Sequence, residues 1–177
     1  DDIYIGGDGI DTIVYSSATL GIFVDVSAPT NNATGPEIGT DTPVSGGAVN
    51  SQYQAAVATD GTGFFTVWVD NRSGATAAIY GARVDSTGAV LDSAGIPIAT
   101  LGGTYSEPWV AYGGGKYLVV FHNQTTYAIE GQLVNPDGSM NGTRFTIGTG
   151  ANYRYAPRVA YNGANFLVAW LDSRDSV

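Results

Sequence analysis

The sequence predicts an all-β protein, on three observations. Glycine is abundant, at 25 of 177 residues, while only 13% of the chain is charged. The apolar runs are rich in β-branched and aromatic residues, the types that fit a pleated, half-buried surface. One pattern also recurs about every fifty residues: Trp68, Phe121 and Trp170 occupy the same place in successive copies, at offsets of 53 and 49. A unit of that length does not bury its apolar face alone and is completed by its neighbours.

Residues 1–27 form the first segment. Gly6-Gly7-Asp8-Gly9-Ile10-Asp11-Thr12-Ile13-Val14 fills every fixed position of the nonapeptide GGxGxDxUx, and Asp2 and Tyr4 stand in phase upstream. Glycines allow a tight turn whose carbonyls point inward, aspartate adds charge, and the hydrophobic residue starts a short strand. This stretch resembles the calcium-binding repeats of the secreted bacterial repeat-in-toxin (RTX) family, and Tyr15 to Val26 resembles the hairpin that ends such arrays. The resemblance implies a β-roll remnant with calcium at Asp2, Gly6, Gly7, Asp8, Gly9 and Asp11, between successive turns that supply six to eight oxygens. Barely one and a half turns are present, so binding in this chain is expected to be weak or absent even where a parent protein binds firmly. The alternative is a glycine-rich turn leading into a strand. Residues 28–47, rich in Pro, Thr, Asn and Gly, read as a linker holding an edge strand near Ile38.

Residues 48–177 carry the repeats. A hairpin runs from Gln54–Thr59 through Asp60-Gly61 into Phe64–Val69; its counterparts turn at Gly113-Gly114-Gly115 and at Asn162-Gly163. The second strand of each hairpin is continuously apolar and so requires cover on both faces. A more polar third strand follows at Ala78–Val84 and at Ile129–Val134. Short edges come last, at Pro97–Thr100 and Thr146–Thr149. Four strands per unit, sandwiched between neighbours, predict about two and a half blades of β-propeller type. The repeats resemble those of secreted bacterial β-propeller proteins reading VAYNGxxFLVVWxDxRxxxxDIYGxRV, a scaffold with many uses that implies fold and not activity.

Trp68, Asp70 and Arg72, and again Trp170, Asp172 and Arg174, form a repeated signature. An Asp and an Arg two apart at a strand end pair with each other or tie down the next turn, which makes the signature structural. The second copy breaks it with Phe121, His122 and Asn123. His122 is the sole histidine and stands where Val69 and Leu171 stand, without a nucleophile motif around it, so it reads as a strand-end substitution. Tyr105, Trp109, Tyr153 and Tyr155 lie at the starts of inner strands, where ring faces are candidates for stacking on sugars, with core packing as the alternative. Glu107 and Glu130 are the acids outside the repeat pattern.

The net charge of −9 is concentrated early: nine carboxylates and no Lys or Arg precede Arg72, and seven of each sign follow from there. Such a segment repels nucleic acid and anionic membranes and attracts cations. No run of 18 apolar residues suggests a spanning helix. The absence of cysteine excludes disulfides and thiolate metal sites. With neither an initiator methionine nor a signal peptide, the start reads as internal or processed. The expectation is a non-enzymatic structural or adhesive segment of a large secreted bacterial calcium-binding repeat protein, at the cell surface or outside the cell. Its completion would come from further sequence or from copies of itself, as a homo-oligomer or filament. The alternatives are a module binding extracellular glycans and part of a secreted glycan hydrolase.

Overall fold

The computed structural model describes residues 44–46, 48–150 and 153–173. Within them the chain forms ten strands and no helix, and every strand pairing is antiparallel. The first sheet holds β1 (Gln52–Thr59), β2 (Gly63–Asp70), β3 (Ala78–Asp85) and β4 (Ile96–Ala99), side by side in chain order. The second repeats that order with β5 (Tyr105–Gly113), β6 (Lys116–Asn123), β7 (Ala128–Val134) and β8 (Met140–Gly148). The third holds β9 (Arg154–Tyr161) and β10 (Phe166–Asp172). The calcium-repeat segment, residues 1–27, and most of the linker, 28–47, lie outside the described residues.

Local chemistry fixes the hairpins. The Asp60 carboxylate accepts the Thr62 hydroxyl at 2.7 Å and the amides of Thr62 and Gly63 at 2.8 and 3.0 Å, closing a turn in which Gly61 takes φ 90°. The Asn162 side chain closes the β9–β10 turn in the same way, accepting the amides of Ala164 and Asn165 with Gly163 at φ 98°. Both glycines occupy the left-handed region that other side chains avoid.

The sheets pack face to face, and their cores come from alternate residues of the second strands. Phe65, Val67 and Val69 of β2 meet Val110, Tyr117, Val119 and Phe121 of the second sheet. The rings of Phe65 and Tyr117 stack across this joint at 5.0 Å. The other row of β6, Leu118 and Val120, meets Val159, Phe166 and Val168 of the third sheet. Because β6 is sandwiched it is buried almost throughout, which explains its continuous apolar run. β10 differs: its residues alternate between half-buried and exposed, since among the described residues only one of its faces is covered. Each fully buried Val or Phe in these joints contributes about 1.5–3 kcal/mol.

Two details depart from the expected elements. β8 begins at Met140 rather than near Thr146, pairing with β7 from Ile129 to Val134. In the first sheet the matching stretch is interrupted, because the Asp92 carboxylate takes the Arg83 amide at 2.9 Å and its guanidinium at 2.8 Å. The first strand of each sheet also carries a bulge that the alternation does not announce. One extra residue enters between Tyr53 and Ala56, between Ser106 and Trp109, and between Tyr155 and Arg158. At these bulges Gln54, Glu107 and Ala156 take φ of 54°, 54° and 51°, a conformation uncommon for residues with a Cβ.

Candidate functional site

The signature residues of the first repeat form a clasp at the end of β2. The buried Asp70 accepts the Trp68 indole N–H on Oδ2 at 2.9 Å. It also accepts the Arg72 amide and Nε on Oδ1 at 2.8 and 2.9 Å, and Nη2 on Oδ2 at 2.7 Å. The same guanidinium donates from Nη1 to the Ala94 carbonyl at 2.6 Å and lies 3.9 Å over the Tyr80 ring. Burial works against ionisation of Asp70, but the bonds from the Arg72 and Trp68 side chains and the Arg72 amide outweigh it, so the carboxyl titrates below its ordinary range. The clasp therefore joins β2, the β2–β3 loop and the segment leading into β4.

The same corner is closed with different chemistry in the other sheets. In the second, Asn123 donates to Glu130 Oε1 at 2.8 Å and accepts the amides of Thr125 and Thr126. Glu130 pairs with Arg144 at 2.9 Å, and Arg144 donates to the Tyr105 hydroxyl at 2.7 Å. In the third, Asp172 pairs with Arg154 at 3.2 Å, reaching sideways to β9; Arg174 lies outside the described residues. The backbone closure is identical in all three: the amides of Asn71, Gln124 and Ser173 donate to the carbonyls of Ser51, Thr104 and Tyr153 at 3.0, 2.8 and 3.0 Å.

The bulges form a second shared feature, which links sheet to sheet. The Glu107 amide donates to Gln54 Oε1 at 3.0 Å, and the Ala156 amide donates to Glu107 Oε2 at 2.6 Å. The second and third bulges each turn an amide toward the preceding sheet, whose own bulge side chain accepts it. Two rungs of a ladder result, and at Ala156 the side chain is too short to extend it. Sequence reasoning missed this site, although a signal was present: Pro108 and Pro157 directly follow Glu107 and Ala156. Proline within a first strand marks a bulge, because it donates nothing to the sheet ladder.

His122 is nearly inaccessible on the face of β6 that looks toward the third sheet. Its Nδ1 lies 3.4 Å from the Ser106 hydroxyl, and Nε2 is buried without a hydrogen-bond partner. Burial lowers its pKa, with the Glu107 charge acting the other way, so the ring is held neutral. The Glu107 carboxylate reaches the Ala156 amide, and the imidazole lacks the orienting acid that a nucleophilic relay requires.

The four aromatic candidates separate. Tyr105 is wholly buried, edge-on to Phe121 at 5.5 Å, with its hydroxyl donating to the Leu101 carbonyl at 2.5 Å. Trp109 is partly exposed, with the Arg158 guanidinium 4.2 Å over its ring. Tyr153 and Tyr155 are exposed, and Tyr153 pairs with Tyr127 at 4.3 Å between centroids. An open polar cavity of about 430 Å³ is lined by Asn50, Ser51, Tyr53, Asn71, Thr76 and Thr104 among others, and by none of these four aromatic residues.

Asp2, Gly6, Gly7, Asp8, Gly9 and Asp11, which the resemblance assigns to calcium, lie outside the described residues. Among the described residues, no group of three or more His, Asp or Glu is placed to hold a metal ion. The described part of the chain is thus all-β, in antiparallel sheets closed at their ends by polar clasps and joined to one another by apolar faces and the bulge rungs. No family model, curated protein or solved structure matches it.

Proposed function

We propose that this chain is a non-enzymatic extracellular scaffold segment, in which propeller-type sheets stand beside a calcium-binding repeat in a large secreted bacterial protein. Its work is mechanical or adhesive: to hold a surface outside the cell. The observation that carries this reading is the engagement of every carboxylate among the described residues. Asp60, Asp85 and Asp137 close turns; Asp70, Asp92, Glu130 and Asp172 are ion-paired; Glu107 forms a rung of the ladder. A glycosidase needs two carboxyls facing each other across the scissile bond, one of them ready to give a proton. Here each acid holds one piece of the fold to another. The strand order, repeated twice with the first strands adjacent, supports the propeller-type stacking.

A panel of glycoside substrates, with and without calcium, tests the reading. No turnover is expected, and turnover abolished by Glu107→Gln or Glu130→Gln would overturn it. A second reading, a glycan-binding module, is favoured by the exposed rings of Trp109, Tyr153 and Tyr155. A glycan array separates the two: a class-specific signal lost in Tyr155→Ala supports the lectin, and a blank array removes it.

A further inference from the structure

Among the described residues, the first and third sheets carry complementary halves of a joint that forms twice inside the chain. One half is a valine of the first strand. Val110 is 4% exposed in the first joint and Val159 is 6% exposed in the second, while Val57, at the same repeat position, is 62% exposed. The other half is the forward row of the second strand. Phe65, Val67 and Val69 fill the first joint, and Leu118 and Val120 fill the second. The same row in β10 is Leu167, Ala169 and Leu171, with Leu167 at 74% and Leu171 at 54% exposure. An apolar row of this kind, buried twice and open once, marks an interaction surface rather than scattered surface residues.

We propose that the Leu167–Leu171 face of the third sheet docks onto the Val57 face of the first sheet in a second copy of this chain, head to tail. The proposal rests on the scaffold reading and names its partner. Such a contact is heterologous and leads to a closed ring or an open filament, according to the rotation between copies. The joint would be weaker than the two inside the chain, for two reasons. Trp68 of the receiving sheet is already buried within its own chain, its indole bonded to Asp70, which leaves the Val57 side for contact. The ladder also fails there: Ala156 offers no oxygen to the Gln54 amide of the next copy, whereas Gln54 and Glu107 each offer one inside the chain. Reversible, concentration-dependent association is the consequence.

Sedimentation of the full 177-residue chain across the micromolar to millimolar range tests this. Self-association is expected, weakened ~10-fold or more by Leu167→Lys, where burial of an ammonium opposes docking. Ala156→Glu supplies the absent acceptor at a φ that Glu107 already adopts, and should tighten association about 10-fold. Leu101→Lys, exposed but off this face, should leave it unchanged. Because the chain has no cysteine, Val57→Cys and Leu167→Cys variants mixed with a bis-maleimide report the pairing directly. Mixed crosslinks exceeding either like pair support the docking. A monomer at every concentration overturns it, as does association indifferent to both Leu167→Lys and Ala156→Glu, or like pairs alone. Each of those results leaves the scaffold reading standing, because that reading fails only on turnover or on specific glycan binding.

Discussion

At the scale of single residues, removing the ionisable group has opposite expected effects at Asp70 and at His122. The folded pKa of Asp70 lies below its ordinary value, so its contribution is complete above about pH 4 and fades as pH falls through the lowered pKa. Asp70→Asn should cost about 1–3 kcal/mol in urea unfolding at pH 7, with the difference from the unmodified chain shrinking toward pH 2. The folded pKa of His122 is also lowered, and the linkage has the same sign, although here the acid form is penalised in the fold rather than the base form stabilised. Below about pH 6.5 the unfolded chain takes up a proton that the folded chain resists, so stability falls with acid. His122→Leu, the residue found at 171, removes both that penalty and an unsatisfied ring nitrogen. It should raise stability by ~1 kcal/mol at pH 5 and by less at pH 8. Legibility differed from residue to residue. The Trp-x-Asp-x-Arg spacing made the Asp70 corner readable, since two charged residues at one strand end have few partners. The bulge ladder was announced only by Pro108 and Pro157, because glutamine, glutamate and alanine are not residues from which a left-handed conformation is inferred.

At the scale of elements, the third strands depend on a missing side chain. A Cβ at Gly81 would come within 2.8 Å of the Phe65 ring and 2.9 Å of the Thr66 carbonyl; one at Gly131 would meet Ile147 at 2.9 Å and Phe145 at 3.0 Å. Gly81→Ala should therefore destabilise by about 1–3 kcal/mol in chemical denaturation, although alanine is otherwise the better strand residue. The glycine in Ile79-Tyr80-Gly81 was visible as part of a repeated triplet, but its reason lies in a neighbouring strand and in a ring directed at it. The unequal repeat lengths have a local origin of the same kind. Seven residues separate the paired Asp70 and Ala78, whereas four separate Asn123 and Ala128. The longer loop carries Arg72, and with it the reach across to Ala94 that its shorter counterpart lacks. Hairpins and second strands were readable because turn glycines and continuous apolar runs are local signals. The length of β8 was not, since it depends on the absence of an Asp92-like carboxylate that would cut the strand short.

At the scale of the whole molecule, stability should concentrate in the joints between sheets. Phe65→Ala removes a fully buried ring stacked on Tyr117 and should cost ~3–5 kcal/mol, enough to unfold the first joint. Leu167→Ala, at the corresponding repeat position, should change the unfolding free energy of the dilute chain by less than about 0.5 kcal/mol. Paired urea titrations of the two variants would measure how far position in the stack, rather than residue type, sets the cost. Titration calorimetry should show no saturable calcium binding below millimolar concentration, because a single nonapeptide supplies only part of a six-to-eight-oxygen shell. The offsets of 53 and 49 revealed the repeating unit, but not which faces would be covered, since that depends on what each sheet meets.

The rungs between Gln54, Glu107 and Ala156 also fix a sequence of sheets. Each bond runs from the amide of a later sheet to a side-chain oxygen of an earlier one, so adjacent sheets are not interchangeable. Exchanging the second and third repeats in a shuffled gene would set alanine ahead of a segment that needs an acceptor, breaking one rung while leaving every strand intact. The order in which the sheets follow one another is thus written, at each step, in the position of a single oxygen atom.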